Sequence, residues 1–331
     1  MKKILLTGAS GFIGGYLAEE AVLRNYELYA CVRKTSNPQY LLDPRISFIE
    51  LDLLDVPDME KKIAEAPVFD YVIHNAGLTK GLKKENYFES NYLATRNLID
   101  VLIRLKKVPE KFIYMSSLAA YGPGIPSQPH PVKSSDTPGP LTHYGKSKLE
   151  AERYLESLKG FPYIIIRPTV VYGPREKDLL TVFKLINLHL EVFVGFKRQA
   201  FTFVYVRDLV KAVFQLMEAN VVNKGYFISD GHVYGRKMLG GLIKKHLDKK
   251  TLRIYLPLVV VKFLSGIVEA SKYFSHKQPA LNLDKVNELA ALNWRCDNQP
   301  LVEDIQFIPE YNLDQGIKET ISWYRQAKWL K

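Results

Sequence analysis

The chain has 331 residues, 47% hydrophobic and 24% charged, which fits a folded globular protein and excludes a disordered one. Its two cysteines, Cys31 and Cys296, exclude a disulfide framework or a cysteine metal site and suit a reducing cytoplasm. The formal net charge of +11 comes from scattered lysines without a nucleic-acid motif, so the basic faces are read as solvated and attractive to a phosphorylated cofactor, with no nucleic-acid partner.

The opening apolar run stops at Thr7 and Gly8, too soon for a signal peptide. No stretch reaches the ~18 uninterrupted apolar residues of a spanning helix. Residues 4–6 predict a buried strand, 7–14 a glycine turn, and 15–24 a helix burying Leu17, Ala18, Ala21 and Val22. Strand, glycine turn and helix form the setting of a dinucleotide site. Glycine lets backbone approach a pyrophosphate, and the helix N-terminus offers it free N–H groups. The spacing is G-x-x-G-x-x-G, not G-x-G-x-x-G.

Strands at 28–32, 47–51, 71–74 and 111–115 alternate with helices at about 58–66 and 87–105. Leu93, Leu98, Val101 and Leu102 supply the apolar face of the second helix. Such alternation predicts an α/β fold with a parallel sheet covered on both faces and ligands at the carboxyl ends of its strands. Residues 122–142 are rich in Pro, Gly and Ser and are read as a long loop at a substrate mouth. A helix at 143–158 and a strand at 163–166 follow, then helices near 179–188, 207–219, 236–246 and 314–327. The segment 257–274 is apolar apart from Lys262, Glu269 and Lys272. It is expected to be a lid or core helix of a second lobe, with weak peripheral contact to a membrane surface as the alternative.

Tyr144 and Lys148 stand four apart on a predicted helix and share a face. A phenol ordinarily titrates near pH ~10, and a neighbouring ammonium pulls that value down. A phenol so tuned can give or take the proton of an alcohol–ketone couple. Ser117 follows a predicted strand and can hold the same substrate oxygen, while Lys148 can also bond a cofactor ribose. Where an NAD-selecting carboxylate would follow the second strand, residues 31–36 carry no acid. Arg33 can meet a ribose 2′-phosphate there, with Lys34 or Ser36 assisting, so NADP is favoured over NAD. The seven histidines are dispersed and no metal site is expected.

With these pieces the chain resembles an extended short-chain dehydrogenase/reductase of the NAD-dependent epimerase/dehydratase group. The resemblance is carried by residues 7–14, Asp52-Leu53, 74–77, Asn91 with Thr95, 116–122, 144–148, Arg167-Pro168, 172–174 and 203–208. The tail around Gly316, Thr320 and Trp323 is similar to the family's closing helix. It implies a Rossmann-type doubly wound sheet in residues 1–173 and a smaller α/β substrate lobe in 174–331, with some segments returning to the core. It implies Tyr144 as acid/base, Lys148 as its partner and Ser117 as the substrate-oxygen ligand. Gly8, Ser10, Gly11, Phe12, Ile13 and Gly14 would surround the pyrophosphate, Asp52 and Leu53 the adenine. Ala76, Gly77 and Thr79 would line the ribose and phosphate path, and Pro168 the nicotinamide end; Asn91 would be a further cofactor contact or a structural polar group. A homodimer through the Tyr144 helix and the helix before it fits the family.

Three departures bear on the substrate. Leu118-Ala119-Ala120 stands where the sugar dehydratases carry an Asp-Glu pair, so water elimination is not expected. Val170 stands where many nucleotide-sugar epimerases carry an Asn, although Arg175 and Arg198 could hold a diphosphate. The apolar 256–268 segment is similar to relatives with greasy substrates. The expected reaction is therefore hydride transfer at a secondary alcohol or its ketone. A nucleotide-sugar epimerase with the same three residues is one alternative, and a non-catalytic NAD(P) sensor another.

Overall fold

Ile4, Leu5 and Leu6 in β1 (Lys3–Thr7) are fully buried, as a central strand covered on both faces requires. The computed structural model describes residues 1–81, 83–125, 130–270 and 283–330. α1 (Phe12–Leu23) starts three residues before the predicted helix, so Phe12 and Ile13 stand in its first turn. Then come β2 (Glu27–Val32), β3 (Ser47–Glu50), α2 (Val56–Glu65), β4 (Tyr71–His74) and α3 (Lys84–Phe88). α4 (Ala94–Arg104), β5 (Lys111–Met115), α5 (His143–Ser157) and β6 (Tyr163–Pro168) complete the first half. The second half holds β7 (Val170–Tyr172), α6 (Leu180–Asn187), β8 (Leu190–Val194), β9 (Ala200–Phe201), β10 (Phe203–Tyr205), α7 (Val206–Glu218) and β11 (Lys224–Ile228). It ends with β12 (Tyr234–Gly235), α8 (Arg236–Leu247), β13 (Leu252–Leu256), α9 (Leu258–Ala270), α10 (Leu283–Ala290), β14 (Asn293–Trp294), α11 (Gln299–Ile305) and α12 (Leu313–Gln326).

Seven strands form one sheet in the order β11-β6-β5-β4-β1-β2-β3, and every pair is parallel. α1 and α7 bury Leu17, Val213 and Phe214 against one face. α2, α4 and α5 bury Met59, Leu98 and Leu155 against the other. β11 and α7 come from the second half, so the chain re-enters the sheet after leaving it. The strand order reverses at β1 and β4, which opens a crevice beyond their carboxyl ends. A separate core gathers around Tyr172, Phe183, Ile317 and Tyr324.

Three expectations change. The predicted helix over 87–105 is interrupted by a π-helical turn, Glu89–Leu93, between α3 and α4. Its extra residue rotates the helix face, so Leu93 is exposed and Asn91 is fully buried. Gly124 and Val132 of the 122–142 loop are tied to the far end of the chain, and none of the loop's described residues lines the crevice. Gly124 N–H donates to Asn293 O at 2.8 Å and Val132 N–H to Arg295 O at 2.8 Å. Finally, the segment from 257 forms α9 as far as residue 270, and residues 271–274 lie outside the described residues. α9 is not a core helix: Val261 and Ser265 are buried, while Val259, Val260, Phe263 and Leu264 are exposed, because only one narrow stripe meets the body.

Candidate active site

β1 hands the chain to Gly8, whose φ of +68° suits glycine, and a Cβ there would lie 2.7 Å from the Ala76 nitrogen. The Gly11 N–H closes the turn on Gly8 O at 3.1 Å. The glycine backbone of the turn therefore packs closely before the start of α1, a cradle shaped for a pyrophosphate. From this turn a cavity of about 660 Å³ runs along the carboxyl ends of the strands.

Its wall holds Gly8, Ser10, Gly11, Phe12 and Ile13 at one end and Arg33, Asp52 and Leu53 beside them. Ala76, Gly77 and Thr79 lie along it, and Ser117, Tyr144, Lys148 and Pro168 converge at the other end. Three expected cofactor contacts do not reach it. Gly14 packs under the turn, where a Cβ would lie 2.0 Å from Gly8 O. Lys34 projects outward with 85% of its side chain exposed, 3.9 Å from Glu50. Asn91 is buried behind the wall. Ser36 does line the cavity beside Arg33 and accepts the Arg33 N–H at 2.9 Å.

The residues that meet at the far end come from three elements. Ser117 follows β5 and caps a short helical turn, accepting the Ala119 N–H at 3.1 Å. Thr142 caps α5 and accepts the Gly145 N–H at 3.0 Å. α5 then crosses so close to that turn that a Cβ on Gly145 would lie 2.2 Å from Ala119 O. This close crossing brings Tyr144 beside Ser117.

A buried chain of hydrogen bonds joins β1, β4, the π turn and α5. The Ala76 N–H donates to Thr7 Oγ1 at 3.1 Å, and Thr7 Oγ1 lies 2.7 Å from His74 Nδ1. His74 Nε2 lies 2.9 Å from Thr95 Oγ1, whose own proton goes to Asn91 O at 2.6 Å. With its proton so placed, Thr95 can only accept from His74. Nε2 therefore carries the hydrogen, and Nδ1 accepts from Thr7. Asn91 continues the chain: its Oδ1 accepts the Leu78 N–H at 2.6 Å and its Nδ2 donates to Ser147 Oγ at 2.9 Å. Ser147 in turn donates to Tyr144 O at 2.8 Å. His74 and Asn91 thus hold the cavity's walls at a fixed spacing. Only the π turn aims Asn91 this way, and no sequence periodicity marks it.

Electrostatics follow from burial. Desolvation pushes the Tyr144 phenol up to about 12, opposed by a hydrogen bond from Ser117. The expected lowering by Lys148 is absent. Desolvation instead pulls the Lys148 ammonium down to about 7, opposed by the Glu152 carboxylate. Lys148 Nζ also lies over the Tyr114 ring, 4.9 Å from its centroid. Burial, with Lys148 adding to it, lowers His74 to about 3. Glu152 accepts from Arg167 Nε at 2.9 Å and from Ser116 Oγ. Sequence reading missed Glu152, although it stands four residues after Lys148 on the same helix face.

The model of the NAD dependent epimerase/dehydratase family matches residues 4–229. The chain belongs to this family. Its relatives include a UDP-glucose 4-epimerase of Vibrio cholerae, 26% identical over 98% of this chain and 96% of that one. A ceramide reductase of Caulobacter vibrioides is 23% identical over 99% of this chain and 98% of that one. Among solved structures, a UDP-glucose 4-epimerase of Thermotoga maritima superposes with a TM-score of 0.78 at 22% identity, covering 98% of this chain and 99% of that one. The member is an NAD(P)-dependent enzyme of the extended short-chain dehydrogenase/reductase type. Among the described residues no helix is long and apolar enough to cross a membrane.

Proposed function

We propose that the protein reduces a ketone to a secondary alcohol on a largely apolar substrate, with NADP as the preferred cofactor. The observation that carries the reading is the convergence of Ser117, Tyr144 and Lys148 on one cavity whose other end is the Gly8–Gly11 turn. A nicotinamide held beside Pro168 would supply the hydride. Ser117 Oγ would hold the substrate oxygen, and Tyr144 would pass its phenolic proton to that oxygen as the hydride arrives at carbon. The phenolate left behind then recovers a proton from solvent. A phenol near pH 12 is protonated at neutral pH, which suits the reductive direction.

Of the two arginines offered for a diphosphate, Arg175 lines the cavity and Arg198 does not. Arg175 pairs with Glu19 at 2.7 Å and stacks on Tyr16 and Tyr40. Arg198 is exposed and outside the cavity. Thr169, Val171 and Met115 line the wall near Pro168, and Arg175, Glu176, Lys177 and Asp178 line the same cavity. The name of the Caulobacter relative supports a greasy substrate. That of the Vibrio relative supports a nucleotide-sugar epimerase with the same three residues as the second reading.

The test is turnover of an apolar ketone panel and of UDP-glucose, each with NADPH and NADH. Tyr144→Phe should cut ketone reduction by about 10²–10⁴ while leaving the thermal shift by NADP in place. Full activity in that variant, or turnover of UDP-glucose alone, would overturn the reading.

A further inference from the structure

We propose that the exposed face of α9, together with the turn at residues 195–198 beside it, docks on an anionic lipid bilayer. α9 is turned inside out for a water-facing helix. It buries Ser265 completely, yet Phe263 is 68% exposed and Val259 78%. Val260 and Leu264 extend the same face. These four are at i, i+1, i+4 and i+5, a two-column apolar strip on the outside of the helix.

The neighbouring turn adds to the strip. The Gly195 N–H donates to Leu256 O at 2.8 Å, so the turn abuts the point where β13 passes into α9. Phe196, 70% exposed, lies with its ring parallel to Tyr255, centroids 6.0 Å apart. Monomeric surfaces rarely leave such large side chains together in water.

Among the described side chains of α9 and the turn, the charges are of one sign. Lys262 is the single charged residue between positions 257 and 268, and Lys197 and Arg198 are exposed on the turn. An apolar strip with a basic rim complements an anionic bilayer, where side chains enter the acyl boundary and cations meet headgroups. A second copy of this chain on the same face would set those cations against each other. α9 is 13 residues long, too short to cross a membrane, so it would lie on the surface.

The strip connects to the active site. α9 packs against α10, and Asp284 of α10 accepts the His143 N–H at 2.9 Å, one residue before Tyr144. A bilayer under α9 would thus lie one helix pair from the catalytic end of the cavity. The inference stands whichever alcohol or ketone the site takes, since its readout needs no turnover.

The test is flotation of the full chain with vesicles of phosphatidylcholine carrying about 30% phosphatidylserine, against phosphatidylcholine alone. The wild type should float with the anionic vesicles and lose most of that binding between about 0.1 M and about 0.5 M salt. Val259→Asp with Phe263→Asp should lower binding about tenfold or more, and Lys197→Glu with Lys262→Glu should do so as well. An unchanged thermal shift with NADP would show that the variants remain folded. The proposal is overturned by a wild type that stays with the protein fraction, or by variants that float equally. It is also overturned by a dimer lost in the Val259→Asp, Phe263→Asp variant without any flotation, which would assign the face to a second copy.

Discussion

Lys148 Nζ donates to the Met115 carbonyl oxygen at 2.7 Å, so the ammonium on α5 is tied to the end of β5. That bond holds a buried cation where desolvation draws it down to about 7. The unfolded chain keeps this lysine protonated to about pH 10.5, so between the two values the unfolded state binds more protons. Stability therefore rises with pH across that window. The gain should be about 2 kcal/mol between pH ~7 and pH ~9. Urea unfolding of the wild type and of Lys148→Met at both pH values checks this. The variant should lack that rise and also lose turnover, and an equal slope in both proteins would refute the buried-ammonium account.

His74 behaves as the counterpart on the acid side. Its neutral tautomer satisfies Thr7 and Thr95 at once, and its folded value near 3 lies below the ordinary 6.5. The unfolded state binds the extra proton between these values, so stability is lost as pH falls below about 6.5. The loss should reach about 2 kcal/mol by pH ~4.5. His74→Leu should flatten that dependence in urea titrations. It should also cost about 2–4 kcal/mol at pH ~7, because two buried hydroxyl groups lose a partner.

Much of this site could be read from residue types and spacing. The Gly8–Gly11 turn was legible because only glycine fits backbone packed that tightly against Ala76. Tyr144 and Lys148 were legible because a helix places fourth neighbours on one face. Burial was not legible: the pairing suggests a phenol tuned down by an ammonium, whereas desolvation moves Tyr144 up and Lys148 down. The π turn was hidden for a related reason. A single inserted residue leaves no periodic mark, so Leu93 passed for a core residue and Asn91 for a cofactor contact. Asp284 is out of reach of any local pattern, lying 141 residues from the His143 amide it accepts.

Gly145 sets the distance between Tyr144 and the serine turn. Gly145→Ala would place a methyl group 2.2 Å from Ala119 O, backbone that cannot swing aside. α5 must move off the Leu118–Ala120 turn, separating Tyr144 from Ser117, while the Gly8 turn is untouched. The expected result is a fall in kcat of about 10²-fold, in line with a misplacement of about 1 Å, with the Kd for NADP within a factor of about three. Steady-state kinetics beside cofactor titration separates the two, and a loss confined to cofactor affinity would contradict this role.

Arg33 decides the last prediction, which concerns the cofactor. It lines the cavity beyond β2 with Ser36 next to it, and residues 31–36 carry no carboxylate to meet a free ribose 2′-hydroxyl. Lys34 has turned toward Glu50, so Arg33 is the one cation of residues 31–36 on the wall. A charged hydrogen bond to a phosphate is worth about 1.5–3 kcal/mol, so Arg33→Ala should weaken NADP by about 10–100-fold and leave NAD nearly unchanged. Arg33→Asp should go further, repelling the 2′-phosphate and offering a free 2′-hydroxyl an acceptor, so that preference inverts toward NAD. Isothermal titration of both cofactors against the three proteins checks this. Equal losses for NAD and NADP would mean that Arg33 contacts a part common to both, and the preference for NADP would then have no support at this position.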